Sequence, residues 1–432
     1  MRAKAVVLGL TAVLVLGTSL HAWSANAPKV GDICKKIGHT KTYKEKKFTC
    51  IKLGKKLVWT KGVAVNSAKE QATPSTNKSP SPSPSPEPKV IPSPIGSPSP
   101  VSTPGPSVIP TSSPTPSPTV TPKTFEDLYE NRKGISYAAW TRSSEIISVS
   151  KAKVGTLEIH TGPNTKPYFD DYLTAVSLVS RLFPNRLEPS KTLIIRYNFK
   201  DLEWAEKLTK EKLTAEEYSQ LQSAEENRLV GSNCDTKTQD CRGAKQQTTP
   251  TSRVSVILQG IENALDVYDP TAEVRSRSGM LEAHEYFHAL QRIPIMDKTR
   301  VWPHAWFREG SANWVQNIVI NNKDFDKYRE YIRQTCSPIC LRLSEAQIIE
   351  FFETSNENYT APKFDRWLNY SLSSHVIEAL VALKGPDTLI DFYEQMGKKL
   401  TFDQAFMATY GVEWSYALPI LAKTVYANLN GL

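Results

Sequence analysis

Residues 280–293 read MLEAHEYFHALQRI. Met280, Ala283, Phe287 and Leu290 recur at alternating steps of three and four, so the stretch predicts a helix over 279–291 with one apolar stripe. His284 and His288 stand one turn apart on an adjacent face, where both imidazoles reach the same point. Glu285 lies about 100° round the helix from His284, close enough to touch a ligand of that point without binding it. H-E-x-x-H on a helix offers two ligands to a zinc ion and a general base beside them. The bland alternative is a pair of ordinary histidines beside a glutamate. With seven histidines in the chain, a chance match of this pattern is on the order of one in a hundred.

A catalytic zinc takes a third protein ligand and keeps one position open. Glu309 stands in VWPHAWFREGSANWVQNIVI, residues 301–320. Ala312, Val315 and Val319 form a second stripe, which predicts a second helix with Glu309 in its first turn, facing the first. Gly310 is expected to let these two helices approach closely, and Asn313 to hydrogen-bond a ligand from behind. His304 is a stray candidate ligand that fits less well than Glu309. Asp297, Arg300 and Arg308 are read as solvated loop charges and carry no assigned chemistry.

His284-Glu285-Tyr286-Phe287-His288, followed by Trp306-Phe307-Arg308-Glu309-Gly310-Ser311-Ala312, resembles the paired motifs of the gluzincin metallopeptidases. The tail YSLSSHVIEALVALKGPDTLIDFYEQMGKKLTFDQAFMATYGVEW, 370–414, is similar to the helices that close bacterial peptidase-MA-like domains. The resemblance covers roughly 250–420; before that only the strand order agrees. It implies a zincin-like fold and Glu309 as the third ligand of Zn²⁺. It also implies hydrolysis of a protein or peptide substrate by a metal-activated water, with Glu285 as general base. The oxyanion stabiliser is implied to be Tyr370 or His375; Tyr370 is preferred by its position in the tail, and His375 is read as a packed or surface histidine. The gap between His288 and Glu309 is slightly longer than in the thermolysin-like and aminopeptidase branches. No Gly-x-Met-Glu-Asn stretch of the exopeptidase kind is present, which favours endopeptidase action. No Gly-x-x-His follows His288, which excludes the metzincin pattern.

Residues 1–27 read as a signal peptide: Arg2 and Lys4, an apolar run, then small residues up to Ala27. Export to the outside or the cell wall follows, with no membrane span left after cleavage. Residues 28–63 hold eleven lysines against Asp32 and Glu45, so the +9 net charge of the chain is concentrated there. Short apolar runs between Gly and Lys predict a small Cys-clipped β module, suited to an anionic wall polymer and to no specific nucleic acid. Residues 64–123 are Pro/Ser/Thr-rich and read as an extended, disordered linker.

The main domain, 124–432, shows strands at TLIIRYNF (192–199) and RVSVILQG (253–260), a helix over 203–230 between them, and nearly all helix after Ser278. That pattern is α+β, a small N-terminal mixed sheet with a mostly helical C-terminal half. RVSVILQG is a candidate edge strand for a substrate backbone. The six cysteines fall into neighbours, Cys34/Cys50, Cys234/Cys241 and Cys336/Cys340, for which neighbour pairing is the simplest reading. The alternative function is a cell-surface binding or scaffold protein with a zincin-like fold and little activity.

Overall fold

The computed structural model describes residues 33–36, 40–43, 46–53, 56–59, 63–64, 120–221, 229–265, 269, 271–296, 302–337, 339–359 and 363–431. The expected signal peptide, the linker as far as residue 119, residues 222–228, Asp297 and Arg300 lie outside the described residues. The chain divides into two compact units, Met1–Ser107 and Val108–Leu432.

In the first unit, strands β1 (Thr40–Tyr43), β2 (Lys46–Leu53), β3 (Lys56–Trp59) and β4 (Val63–Ala64) form an antiparallel sheet in which β2 pairs with the other three. Cys34 and Cys50 are bridged and pack with Trp59 as its small core. A core of this size needs a covalent clip.

The second unit runs α1 (Ile135–Val149), β5 (Thr156–Thr161), α2 (Tyr172–Leu182), β6 (Lys191–Tyr197), α3 (Leu202–Lys212), α4 (Ala215–Leu221), β7 (Cys234–Asp235), β8 (Asp240–Cys241), β9 (Gly243–Thr248) and β10 (Val254–Gly260). Among the described residues only helices follow: α5 (Ala272–Arg277), α6 (Met280–Arg292), α7 (Ala305–Ile320), α8 (Phe325–Cys336), α9 (Glu345–Thr354), α10 (Ser371–Lys384), α11 (Thr388–Gly397), α12 (Phe402–Tyr410) and α13 (Trp414–Leu429), apart from short 3₁₀ turns. The domain is thus mixed α/β, with a small sheet and a mostly helical C-terminal half. The disulfides Cys234–Cys241 and Cys336–Cys340 match neighbour pairing.

The main sheet has the order β5-β6-β10-β9, with the first three parallel and β9 antiparallel to β10. Strand β10 is therefore internal, and the edges are β5 and β9, neither of which the sequence reading found. The helix expected over 203–230 is also broken. Thr214 and Glu217 exchange side-chain-to-backbone hydrogen bonds (2.9 and 3.2 Å), a helix-start device that ends α3 and begins α4.

Alternation in β6 and β10 splits the packing. Leu193, Ile195, Val256 and Leu258 face the α3–α4 side, while Ile194 and Ile257 face the large helical core. Helix α6 lies on that second face. Gly279 starts it at φ +87°, where a Cβ would fall 2.7 Å from Phe169 and 2.8 Å from Ala175. Both its conformation and its space demand glycine. A buried polar chain ties α6 to the sheet: the Tyr172 hydroxyl donates to Gln259 Oε1, and Gln259 Nε2 donates to Glu282 Oε1, both at 2.8 Å.

Candidate metal centre

The apolar stripe of α6 turns Ala283, Phe287 and Leu290 into the core. His284 and His288 are thereby left facing α7. There the Nε2 atoms of His284 and His288 lie 3.1 Å apart, and Glu309 Oε2 lies 3.4 and 3.2 Å from them. All three side chains are buried. Among the described residues this is the one group of three His, Cys, Asp or Glu side chains that converges tightly enough to hold a metal ion.

The surrounding bonds decide which atoms are bare. Gln291 commits its amide nitrogen to Arg308 O (3.0 Å) and Ser311 Oγ (2.7 Å). Its oxygen therefore faces His288 Nδ1 at 2.6 Å and can only accept. The proton of neutral His288 is thus on Nδ1, and its Nε2 lone pair points at His284 and Glu309. Two imidazole nitrogens and a carboxylate oxygen turned on one point repel unless a cation or a proton lies between them. Tetrahedral zinc with ligands at about 2.0–2.1 Å separates those ligands by about 3.3 Å, in line with the spacings present.

Glu309 divides its oxygens. Oε2 faces the imidazoles, while Oε1 accepts from Arg308 Nε at 2.9 Å and from the Tyr359 hydroxyl in a short bond. Burial alone would raise the Glu309 carboxyl, but His288, His284 and Arg308 outweigh it and hold it well below the usual range. Arg308 is itself held between aromatic faces, 5.1 Å from the rings of both Trp302 and Tyr359.

Glu285 is buried next to this group but outside it. Burial pushes its carboxyl up to about 7, against the backbone N–H of Gln246 on β9, which works the other way. Tyr370 lays its ring against His284 (5.9 Å, 21°) and places its hydroxyl 3.3 Å from that of Tyr359. Burial pushes the Tyr370 phenol far up, so it stays a proton donor. These side chains line an open cleft of about 990 Å³, walled on one side by residues 243–246 of β9 and on another by Tyr359, Arg366, Trp367 and Tyr370.

No known protein family, curated protein or solved structure matches this chain.

The cleft thus brings together His284, Glu285, His288, Glu309 and Tyr370. It does not include His304, which precedes α7 and stacks on Phe402 at 4.2 Å. His375 is likewise absent, half-buried in α10 with its basicity lowered by desolvation to about 4. Four expectations need correction. Glu309 sits beyond the first turn of α7, because the helix begins at Ala305. Gly310 serves a close approach to α10 rather than α6: a Cβ there would meet Ser373 Cβ at 2.5 Å. Asn313 supports no ligand but donates to Tyr370 O at 3.3 Å and accepts from Gln316. Arg308 is not a solvated loop charge but a half-buried helix residue clamped on Glu309.

Gln291 and Tyr359 were missed. Gln291 had a signal, standing one turn after His288 on the same helix. Tyr359, in the segment before α10, had none.

Proposed function

We propose that the chain is an exported zinc-dependent peptidase of the gluzincin kind, cutting within peptide chains. The observation that carries this reading is a buried carboxylate, Glu285, placed beside a two-histidine, one-carboxylate donor group at the floor of an open cleft. A structural metal site has no use for such a base.

His284, His288 and Glu309 are the residues that would hold Zn²⁺. When bound, the ion would supply Lewis acidity and lower the pKa of a water toward neutral. The chain's own residues do the rest. Glu285 accepts a proton from the attacking water and returns it to the leaving amine. Its desolvated setting keeps its basicity close to neutral, which suits both transfers. The Tyr370 hydroxyl donates to the carbonyl oxygen as negative charge builds there. The outer edge of β9 offers backbone groups to an extended substrate, which would add to the sheet as a further strand. The lysines of the small unit suit attachment to an anionic wall polymer.

The test is hydrolysis of an unfolded protein substrate by the Zn²⁺-loaded chain, followed by mass spectrometry. Internal cleavage is expected, reduced at least about a thousandfold in Glu285→Gln, a variant expected to keep its metal. Equal hydrolysis by wild type and Glu285→Gln would sink the reading.

A further inference from the structure

The cleft carries a charge that the hydrolytic machinery leaves unused. Three of its arginines are paired with carboxylates: Arg242 with Asp240 at 2.7 Å, Arg275 with Asp269 at 2.9 Å and Arg308 with Glu309 at 2.9 Å. Arg366 also lines the cleft, is exposed, and among the described residues has no carboxylate within ion-pair distance.

Arg366 is nevertheless not loose. Its guanidinium lies 5.3 Å from the Tyr359 ring and 5.5 Å from the Trp367 ring. Contact with two aromatic faces restricts the planar fork, and an exposed guanidinium suits two-pronged contact with a carboxylate. Side-chain freedom already lost in the free protein need not be lost on binding. Trp367, 55 % exposed on the same wall, offers an indole face for the apolar part of whatever is bound.

Its position relative to the metal centre is fixed through one residue. Tyr359 touches Glu309 with its hydroxyl and Arg366 with its ring. Arg366 is thus within about 11 Å of the donor group, a span of no more than about three residues of extended chain. Lys245, which also lines the cleft, has no carboxylate partner among the described residues either, so the lining carries two such cations.

We infer that Arg366, backed by Tyr359 and Trp367, forms a subsite for a substrate carboxylate close to the scissile bond, so that the cleft selects acidic peptides. This deepens the peptidase reading and rests on it. The carboxylate has two sources, an Asp or Glu side chain or a free C-terminus.

The full chain, loaded with Zn²⁺, is given an equimolar mixture of peptides that differ at one position in Glu, Gln or Lys. Each is made with a free and an amidated C-terminus, and cleavage is followed by mass spectrometry. Wild type is expected to favour Glu over Gln by about tenfold in kcat/KM, and Lys least. Arg366→Gln is expected to lose the preference and Arg366→Glu to reverse it, with metal content as the check that both variants are folded. A preference that follows position identifies a side-chain carboxylate; one that disappears on amidation identifies the C-terminus. Equal cleavage of all peptides by wild type overturns the subsite and leaves the peptidase reading standing, as does a preference unchanged in Arg366→Glu. If Zn²⁺-loaded wild type cleaves none of them, the peptidase reading falls and the subsite with it.

Discussion

Glu309 gives one oxygen to the imidazoles and the other to Arg308 and Tyr359. That division fixes the carboxylate rotation, so a metal ion would meet a single preset oxygen beside two preset nitrogens. Gln291 does the same for His288 by accepting from its Nδ1–H. Partners of this kind typically account for ten- to a hundredfold in metal affinity. Tyr359→Phe and Gln291→Leu are therefore each expected to weaken Zn²⁺ binding by about that factor, read by competition with a chromophoric chelator. Affinity unchanged in both would mean that these contacts do not position the ligands. At this scale the two histidines and Glu285 were legible because helical spacing places them without help from the fold. Arg308 was visible but misread, since an arginine beside a glutamate says nothing about burial. Tyr359 was not legible: the segment that carries it approaches Glu309 through tertiary packing alone.

Element by element, the helices were readable where apolar stripes run unbroken, as in α6 and α7. Strand β9 was not, because AKQQT within it lacks apolar alternation; it is an edge strand with one neighbour, and polar residues are tolerated there. The break between α3 and α4 depends on Thr214 turning its hydroxyl to Glu217, a choice that composition does not announce. Packing among α1, α7, α8 and α10 encloses Glu378, which accepts from the Tyr328 hydroxyl at 2.6 Å, while Trp314 Nε1 donates to that hydroxyl at 2.8 Å. Burial pushes the Glu378 carboxyl from its ordinary 4.5 up to about 7. The folded state therefore holds a proton that the unfolded state gives up, and this contribution to stability is full below about 4.5 and lost as pH rises through about 7. In thermal unfolding, wild type measured against Glu378→Gln is expected to lose stability between pH 5 and pH 8, by a few degrees. A difference independent of pH would mean that Glu378 is charged in the folded protein.

On the scale of the whole molecule, the metal centre lies where the two halves of the second unit meet. Helix α6 rests on the sheet through the Gln259–Glu282 bond, whereas α7 belongs to the helical half and packs against α10 at Gly310. His284, His288 and Glu309 therefore bridge two layers. The division into a small sheet and a helical half was legible from where the β-branched runs stop, near residue 260. The parallel order of β5, β6 and β10 was not, since it depends on crossovers that single segments do not encode. The proposed role of this bridge is to hold zinc. It is tested most directly by elemental analysis of the chain purified without added metal, as wild type and as Glu309→Ala. One zinc ion per chain is expected in wild type, and its loss in the variant. No zinc in wild type, or zinc retained in full by Glu309→Ala, would contradict it.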